Sequence, residues 1–399
     1  MPTTELERRA LALSCPRSLT GWGGTSPRED LLALADEASR GGDPDRYGDG
    51  GVVAEVEEQV RELLGAPAAV LCPSGTLAQQ VALRHWCTGS ARVALHATAH
   101  PVLHEDDALP VVQGLVPVVV GERPDLAALV AEHERAPLGA VLVELPQRET
   151  GGDLMSFEEL AALSTWCREA GVRLHLDGAR LWECGPAYAP NTLAEVVALA
   201  DSTYVSLYKG LGAVGGAVLL GPEELAAYAR TWRHRLGGTL PALWPMALGA
   251  RKGLRERLPE VPRWVEHAQA LAAALGRVGL EVAVPPVTPL LHVVLPGEPE
   301  QVQDALVEVS RRTGVWLGRA QPGLREGTSR VEVAVAGRSL EVPVEEGAAL
   351  LAEAVALLDA VPSAEVPSAE LPGSELPGPE LPGPELPGPE AAGAAGPED

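Results

Sequence analysis

Lysine is nearly absent from this 399-residue chain, which has only Lys209 and Lys252 against 29 arginines. Arginine cannot replace a lysine that must lose its proton, because a guanidinium group never deprotonates to attack a carbonyl carbon. Because almost every position that could be lysine or arginine is arginine here, each of the two lysines is a candidate for chemistry that only an amine performs. Retention by chance is the alternative for either lysine taken alone.

Other features are missing as well, and each absence narrows the class of protein. The five cysteines show neither disulfide pairing nor metal-ligand spacing, so we expect a reduced protein without a metal site. The opening residues are not a charged and then apolar leader, and no apolar run reaches the length of a membrane span. The net charge of -24 argues against nucleic acid as a partner. We therefore expect a cytoplasmic protein with no membrane partner.

The end of the chain, at 361–399, is a repeat of low complexity. Six five-residue units of the type VPSAE and LPGPE follow one another, with proline in every unit. Such a segment cannot bury enough apolar surface to offset the entropy lost on ordering, so disorder is predicted there. The remaining residues are expected to fold.

The middle of the chain alternates short apolar strands with helical patterns. Strands are predicted at 93–95, 116–121, 140–145, 172–176, 202–207 and 216–220. Helices are predicted at 77–86, 125–135, 156–170 and 193–200. This order predicts an α/β protein with a mostly parallel central sheet covered by helices on both faces.

The patterns also predict how the chain divides. We expect an N-terminal arm and helix at 1–44, a large α/β domain at 45–255 and a smaller α+β domain at 256–360. In the smaller domain, helices are predicted at 264–278, 300–312 and 344–358, and strands at 290–295 and 331–335. Whether the arm, with the glycine-rich run at 21–24, packs on its own chain or on a partner stays open.

Three groups that suit pyridoxal phosphate stand beside predicted strands. Asp177 ends the strand VRLHLD, Lys209 follows the next strand, and the turn Ser74-Gly75-Thr76 begins a helix. Ligands bind at the carboxyl edge of open α/β sheets. The cofactor needs a lysine for covalent attachment, a carboxylate at its pyridine nitrogen and a cup of N–H and hydroxyl groups for its phosphate. Each group alone has a plain structural interpretation, such as a helix cap, but together they favour the cofactor.

Several motifs resemble the threonine aldolase and β-eliminating lyase family, which has the aspartate aminotransferase fold, fold type I of the pyridoxal phosphate enzymes. The motifs are YGDGGVVAEVEEQV at 47–60, PSGTLAQQVAL at 73–83, HLDGARLW at 175–182 and ADSTYVSLYKGLGAVGGAVLLG at 200–221. They follow one another in the family's order, and the likeness becomes weaker after 221.

The resemblance implies roles for individual residues. Lys209 would attach the cofactor, and Asp177 would pair with the pyridine nitrogen. His100, in AHPVLHE, would stack on the cofactor ring near the β-carbon of the substrate, with the family's Glu at Glu105. Arg180 would bind the substrate carboxylate, because a guanidinium fork holds a carboxylate in a defined orientation.

Other implied roles rest on shorter matches. Arg330, in TSRVEVAV, falls at the place of a second carboxylate arginine, and Ser18 at that of a serine that contacts the substrate. Tyr47 is expected to enter the site of a neighbouring subunit, because the resemblance implies a homodimer or homotetramer. The family's phosphate-binding glycine turn appears here as RHRLGGTLP, with histidine where lysine is expected and no arginine after the glycines. Arg233 or Arg235 is therefore predicted to contact the phosphate instead.

The departures from the family pattern border the substrate rather than the cofactor. Tyr208 stands where a small hydroxyl residue usually precedes the lysine, and 144–150 replaces a Glu-Asn-Thr stretch. His133 lies one residue from the position of a second family histidine. The identity of the substrate is therefore less certain from the sequence than that of the cofactor.

The preferred function is retro-aldol cleavage of a threonine-like β-hydroxy-α-amino acid to glycine and an aldehyde. His100 would take the β-hydroxyl proton directly or through water, with His104 and His133 as alternatives. β-Elimination, with Lys209 as the base at Cα, and transfer of the glycyl unit to another aldehyde are the alternative reactions. An alternative of another class is an interaction protein that keeps the fold but has lost turnover, with its acidic, proline-rich tail binding a partner.

Overall fold

The computed structural model describes residues 4–21, 26–123 and 125–360. The predicted disorder at 361–399 lies outside the described residues. The strands are β1 (Arg17–Ser18), β2 (Ala68–Cys72), β3 (Arg92–Leu95), β4 (Val116–Val119), β5 (Ala140–Glu144), β6 (Arg173–Gly178), β7 (Ser202–Ser206), β8 (Ala217–Gly221), β9 (Glu281–Val282), β10 (Leu290–Pro296), β11 (Val315–Trp316), β12 (Ala320–Pro322) and β13 (Thr328–Ala334). The α-helices are α1 (Glu5–Ser14), α2 (Pro27–Ala38), α3 (Gly51–Leu63), α4 (Gly75–Trp86), α5 (His100–Leu103), α6 (Ala108–Gln113), α7 (Leu126–Arg135), α8 (Phe157–Ala170), α9 (Gly185–Tyr188), α10 (Leu193–Val197), α11 (Glu223–Arg235), α12 (Trp244–Glu256), α13 (Val261–Arg277), α14 (Pro299–Thr313) and α15 (Val344–Ala360).

A seven-stranded sheet holds the strands in the order β2-β8-β7-β6-β5-β3-β4. Strand β8 runs antiparallel to β2 and β7, and the other neighbouring pairs are parallel. Because β2 and β7 are both antiparallel to β8, they run in the same direction, and the carboxyl ends of β2, β3, β5, β6 and β7 share one edge. The predicted mostly parallel sheet is confirmed, but the reversed β8 was not predicted.

The central strands are buried because their sequences are apolar on both faces. Every residue of β5 is buried, as is every residue of β6 after Arg173. Helix α8 begins at a capping box in which Ser156 and Glu159 bond each other's backbone N–H groups, and it ends at Gly171 in the left-handed conformation. The edge strand β4 stops at Val119, two residues before its predicted end. Helix α10 stops at Val197 rather than at residue 200, because the chain turns there to enter β7.

A second, antiparallel sheet has the order β12-β13-β10-β9. Strands β10 and β13 pair over their full lengths, from Leu290 opposite Ala334 to Pro296 opposite Thr328. This pairing explains why β13 begins three residues before the predicted strand at 331–335. Helices α13, α14 and α15 supply the apolar side chains that cover the sheet.

The N-terminal arm packs on its own chain, which answers the question that the sequence left open. Strand β1 pairs in parallel with β11, and the N–H of Gly21 donates to the carbonyl of Ala334 at 2.7 Å. Leu19 is buried in the core of the second sheet. Of the glycine-rich run, only Gly21 belongs to the described residues.

The two largest apolar cores lie against the two sheets, and smaller clusters add to the large sheet. The larger core takes its buried side chains from residues between Val52 and Leu254, and the second takes them from Leu19 and from residues between Val261 and Ala354. The domain bounds at 44, 255 and 360 stay predictions. No helix in the described part of the chain is long and apolar enough to cross a membrane.

Candidate active site

Lys209 and Asp177 lie at the shared carboxyl edge of the large sheet. Asp177 is in β6, and Lys209 follows β7, which pairs with β6 in parallel. Each side chain acts on the pKa of the other. Burial, and then the positive charge of Arg180, holds the pKa of Lys209 below its usual range. An amine with a lowered pKa is deprotonated, and therefore nucleophilic, in a larger fraction of molecules.

The Asp177 carboxylate is buried and only partly satisfied. Its Oδ1 accepts a hydrogen bond from the N–H of Ala179 at 3.0 Å, whereas Oδ2 has no hydrogen-bond partner among the described residues. Burial, and then the charge of Glu144 on the next strand, raises the pKa of Asp177 to about 6. The Tyr204 hydroxyl lies close enough to lower this pKa, but it makes no hydrogen bond of normal geometry to Oδ2. A cationic N–H donor would satisfy the free oxygen and its charge together.

The turn after β2 forms the N-terminus of α4 at the same edge. Ser74 is the N-cap of this helix, and its Oγ accepts from the N–H of Leu77 at 3.2 Å. The N–H groups of Gly75 and Thr76 belong to the first turn, which has no intrahelical acceptors. Tyr204, which is 3% exposed, lies directly behind Gly75. The turn can hold an anion with its N–H groups and hydroxyls.

Gly75 is required by this close approach. A Cβ atom at position 75 would lie 2.6 Å from Cε2 of Tyr204 and 3.0 Å from its Cζ. We expect Gly75→Ala to lower the free energy of unfolding of the cofactor-free protein by about 1–3 kcal/mol, because the buried ring must shift. Urea unfolding of the two proteins measures this difference.

Gly185 provides the matched control for Gly75. It has α-region backbone angles, and no atom lies within 4 Å of the place of an added Cβ. Gly185→Ala is therefore expected to change the free energy of unfolding little or to raise it. Equal effects of the two substitutions would contradict the proposed contact with Tyr204.

His100 forms a dyad with a buried carboxylate. Its Nδ1 lies 2.9 Å from Oε1 of Glu105, and Gln79 and Gln80 donate to the same carboxylate. The hydrogen bond to Glu105 is the main cause that raises the pKa of His100, and the charge of Asp177 adds to it. His100 is therefore oriented by Glu105 and lies near the Asp177 edge.

The other two histidines named from the sequence occupy different places. His104 lies 3.0 Å from Glu149, with its ring centroid 5.3 Å from that of His100. The Nδ1 of His133 accepts from the N–H of Leu138, just before the amino end of β5. The fold therefore places His133 at the sheet edge opposite to Asp177 and leaves His100 and His104 on the side of Lys209.

Arg180 is buried among carboxylates. Its Nη2 lies 3.3 Å from Glu332, in β13 of the second sheet, and its Nη1 lies 3.5 Å from Glu183. Burial alone would lower the pKa of Arg180, but these two carboxylates raise it. The guanidinium predicted to bind the substrate carboxylate thus already has protein carboxylates around it.

A crossed set of ion pairs joins the two sheets beside Arg180. Arg330 and Glu332 stand two residues apart in β13, and Arg148 and Glu149 lie in the loop after β5. Arg330 donates to the backbone carbonyl of Glu149 at 2.7 Å and pairs with its carboxylate, and Arg148 Nε lies 2.7 Å from Glu332. Burial would raise the pKa of Glu149, but the hydrogen bond from His104 and the charges of Arg330 and Arg148 hold it below its usual range. The predicted role of Arg330 toward a substrate stays a prediction.

The predicted phosphate arginines differ in position. Arg233 is buried and donates to the carbonyl of Leu71 at 2.6 Å and to that of Tyr47 at 3.5 Å. Arg235 is exposed, and its guanidinium lies 4.9 Å from the ring centroid of Trp232. The contact of Arg235 with Trp232 does not support its predicted role as a phosphate ligand. The phosphate-binding roles of Arg233 and Arg235 stay predictions.

The two remaining predicted residues are Ser18 and Tyr47. Ser18 is buried in the arm, and its Oγ donates to the carbonyl of Thr20 at 2.7 Å. Tyr47 is half exposed and has a φ of 57°, in the left-handed region. The described contacts of these residues do not connect them to Lys209.

Several residues of the site were not predicted from the sequence. Tyr204 lies behind Gly75, Gln79 bonds to Glu105, and Glu332 contacts Arg180. One signal for Glu332 was present, since it stands two residues after Arg330 and between two valines, Val331 and Val333. Alternation places both side chains on one face of the sheet.

The chain thus has the fold of the pyridoxal phosphate enzymes of fold type I. The model of the β-eliminating lyase family matches residues 25–295. Because this match covers more than half of the chain, the chain belongs to that family. The predicted family, fold class and enzyme class, a lyase, are confirmed.

Individual relatives agree with this assignment. A candidate L-allo-threonine aldolase from Listeria monocytogenes is 33% identical, with a TM-score of 0.79 over 88% of this chain and 98% of its own. The low-specificity L-threonine aldolase 1 of Arabidopsis thaliana is 29% identical over 61% of this chain and 71% of its own. A variant of serine palmitoyltransferase from S. paucimobilis, with a bound aldimine of pyridoxal phosphate and myriocin, shares the fold at 16% identity, with a TM-score of 0.67 over 86% of this chain and 88% of its own.

Proposed function

We propose that the chain cleaves a threonine-like β-hydroxy-α-amino acid to glycine and an aldehyde with pyridoxal phosphate as its cofactor. The observation that carries this proposal is the placement, at one sheet edge, of Lys209 and the buried Asp177 carboxylate, one oxygen of which has no hydrogen-bond partner among the described residues. The relatives named as threonine aldolases support the reaction type.

The described residues fit this cofactor. The unpartnered Oδ2 of Asp177 can accept the pyridine N–H, and the turn of Ser74, Gly75 and Thr76 offers hydroxyl and N–H donors for the phosphate. Lys209 is the amine for covalent attachment. When bound, pyridoxal phosphate supplies the electron sink for the bond that breaks at Cα.

The protein side chains then divide the remaining tasks. Arg180 binds the substrate carboxylate and so fixes the rotation about the Cα–N bond, which sets the bond to be broken. His100 takes the proton of the β-hydroxyl group as the Cα–Cβ bond breaks, and Glu105 keeps its ring in place. The buried carboxylate of Asp177 holds positive charge at the pyridine nitrogen.

The dyad of His100 and Glu105 leads to a pH prediction. A histidine that acts as a base must be neutral, so activity rises with pH through its pKa. Since the hydrogen bond to Glu105 is what mainly raises the pKa of His100, Glu105→Gln is expected to lower this pKa. The acidic limb of the kcat/KM profile should move to lower pH by about one unit.

The control for this profile is His133→Asn, on the opposite edge of the sheet. Its acidic limb is expected to coincide with that of the unmodified protein. A limb that moves in His133→Asn, or stays in place in Glu105→Gln, would show that His100 is not the base.

The proposed reaction is tested with three amino acids. Purified protein with cofactor is incubated with threonine, allo-threonine and cysteine, and glycine, acetaldehyde and pyruvate are measured. We expect glycine and acetaldehyde from a threonine diastereomer. Pyruvate from cysteine, without glycine from either threonine diastereomer, would show that the chain catalyses β-elimination and not aldol cleavage.

We further propose a homodimer or homotetramer in the cytoplasm. Exposed apolar side chains, which include Val111 at 78% and Leu103 at 49% exposure, support a subunit contact on the α5–α6 face. The half-exposed Tyr47 is the residue proposed to enter a neighbouring site. Light scattering of the purified protein measures the number of subunits.

A further inference from the structure

A cleft of about 590 Å³ opens beside the Arg148 and Glu332 pair. Helix α1 lines one side with Arg9 and Leu13, and Trp316 of β11 and the nearby Arg319 line the other. This volume is typical of sites for small organic ligands, which span about 300–1,000 Å³. The methyl group of threonine would leave almost all of it empty.

The cleft adjoins the proposed reaction site through shared residues. Arg148 Nε lies 2.7 Å from one oxygen of Glu332, and Arg180 Nη2 lies 3.3 Å from the other. The charge of Arg148 also contributes to the pKa of Lys209. A substrate whose carboxylate is held by Arg180 therefore has the cleft within reach of its other end.

The lining combines an apolar wall with positive charge. Leu13, which is 52% exposed, supplies apolar surface to the lining together with Ala12 and Trp316. The single carboxylate of Glu5 contacts two guanidinium groups of the lining, Arg9 at 3.0 Å and Arg319 at 2.8 Å. No other ion pair is seen for these two arginines among the described residues, so one positive charge is not balanced there, in a chain whose net charge is -24.

We propose that this cleft binds the group on Cβ of the substrate, and that this group is an apolar chain or ring that ends in a carboxylate. The inference rests on the proposed function and names its substrate class. Cleavage of such a substrate breaks the Cα–Cβ bond, the β-hydroxyl loses its proton to become the aldehyde oxygen, and Cα takes up a proton to give glycine. The aldehyde product keeps the carboxylate.

The test compares two β-hydroxy-α-amino acids of the same configuration, 3-phenylserine and 3-(4-carboxyphenyl)serine. With the holoenzyme we expect a higher kcat/KM for the carboxylated compound. In the double variant R9Q/R319Q, which leaves Glu5 without its two partners, the ratio of the two kcat/KM values should fall by about tenfold. R312Q is the matched control, because Arg312 is an exposed arginine of α14 that pairs with Glu353 away from the cleft.

A binding measurement separates this inference from the proposed function. Calorimetric titration of the holoenzyme with 4-carboxyphenylalanine and phenylalanine, which lack the β-hydroxyl, reports binding without aldol cleavage. Preference for the carboxylated compound that is lost in R9Q/R319Q supports the subsite even if no substrate is cleaved, in which case only the proposed function fails. Cleavage of threonine with no preference in either measurement, or equal losses in R312Q, overturns the subsite and leaves the proposed function standing.

Discussion

Lys209→Ala should lower kcat/KM for threonine cleavage by about 10³-fold or more, since the variant lacks both the covalent attachment of the cofactor and an amine beside Cα. The visible absorbance of protein-bound cofactor should also change, because an aldehyde without its lysine partner absorbs differently. Both effects are measured on the same purified sample, by steady-state kinetics and by spectroscopy.

The chain carries its own control for this substitution. Lys252, the other lysine, is in α12 and pairs with Glu256 one turn further on. Such an exposed pair contributes only about 0.3–0.5 kcal/mol, so Lys252→Ala should retain activity and absorbance. A similar loss in both variants, or activity retained by Lys209→Ala, would remove Lys209 from the reaction.

Asp177→Asn should lower kcat/KM by about 10²- to 10³-fold, because the variant keeps the shape of the side chain but not the charge that holds the pyridine nitrogen protonated. Asparagine can still accept the hydrogen bond that the N–H of Ala179 donates to Asp177 at 3.0 Å. The loss should therefore appear in turnover more than in folding.

The same substitution, Asp177→Asn, should raise the stability of the cofactor-free protein although it lowers kcat/KM. The pKa of Asp177 in the fold is raised to about 6, above the value of about 3.9 for an unfolded chain. A carboxyl group of this kind stabilises the fold below the unfolded pKa, and this contribution is lost as pH rises through the folded pKa. The Tm of cofactor-free Asp177→Asn should thus exceed that of the unmodified protein by a margin that grows as pH rises through 6. A margin independent of pH would show that the Asp177 pKa is not raised.

The sheet edge of Asp177 and Lys209 was predictable because these residues belong to local patterns. Asp177 lies near the end of one predicted strand, Lys209 follows another, and Ser74 is the cap residue of a helix. The carboxyl ends of parallel strands meet at one edge of a sheet, so sequence position predicts proximity. The reversed β8 does not disturb this edge, since its neighbours β2 and β7 still run in the same direction.

The surroundings of the substrate were less predictable, because they form between distant parts of the chain. Glu332 is 152 residues from Arg180, and Glu149 is 181 residues from Arg330. The sequence indicated the arginines as carboxylate ligands, whereas the fold shows each of them already beside a glutamate. Which arginine contacts which glutamate depends on how the second sheet packs on the first.

The sequence by itself thus determined the class of protein and the sheet edge at which Asp177 and Lys209 lie, because strand patterns and helix-cap residues depend on neighbouring residues along the chain. Only the tertiary structure decided which histidines lie on the side of Lys209, which carboxylates surround Arg180, and that a cleft opens between α1 and β11. Burial of a charge is stable only when an opposite charge or a hydrogen-bond partner is present, and that partner comes from whichever element the apolar cores bring alongside.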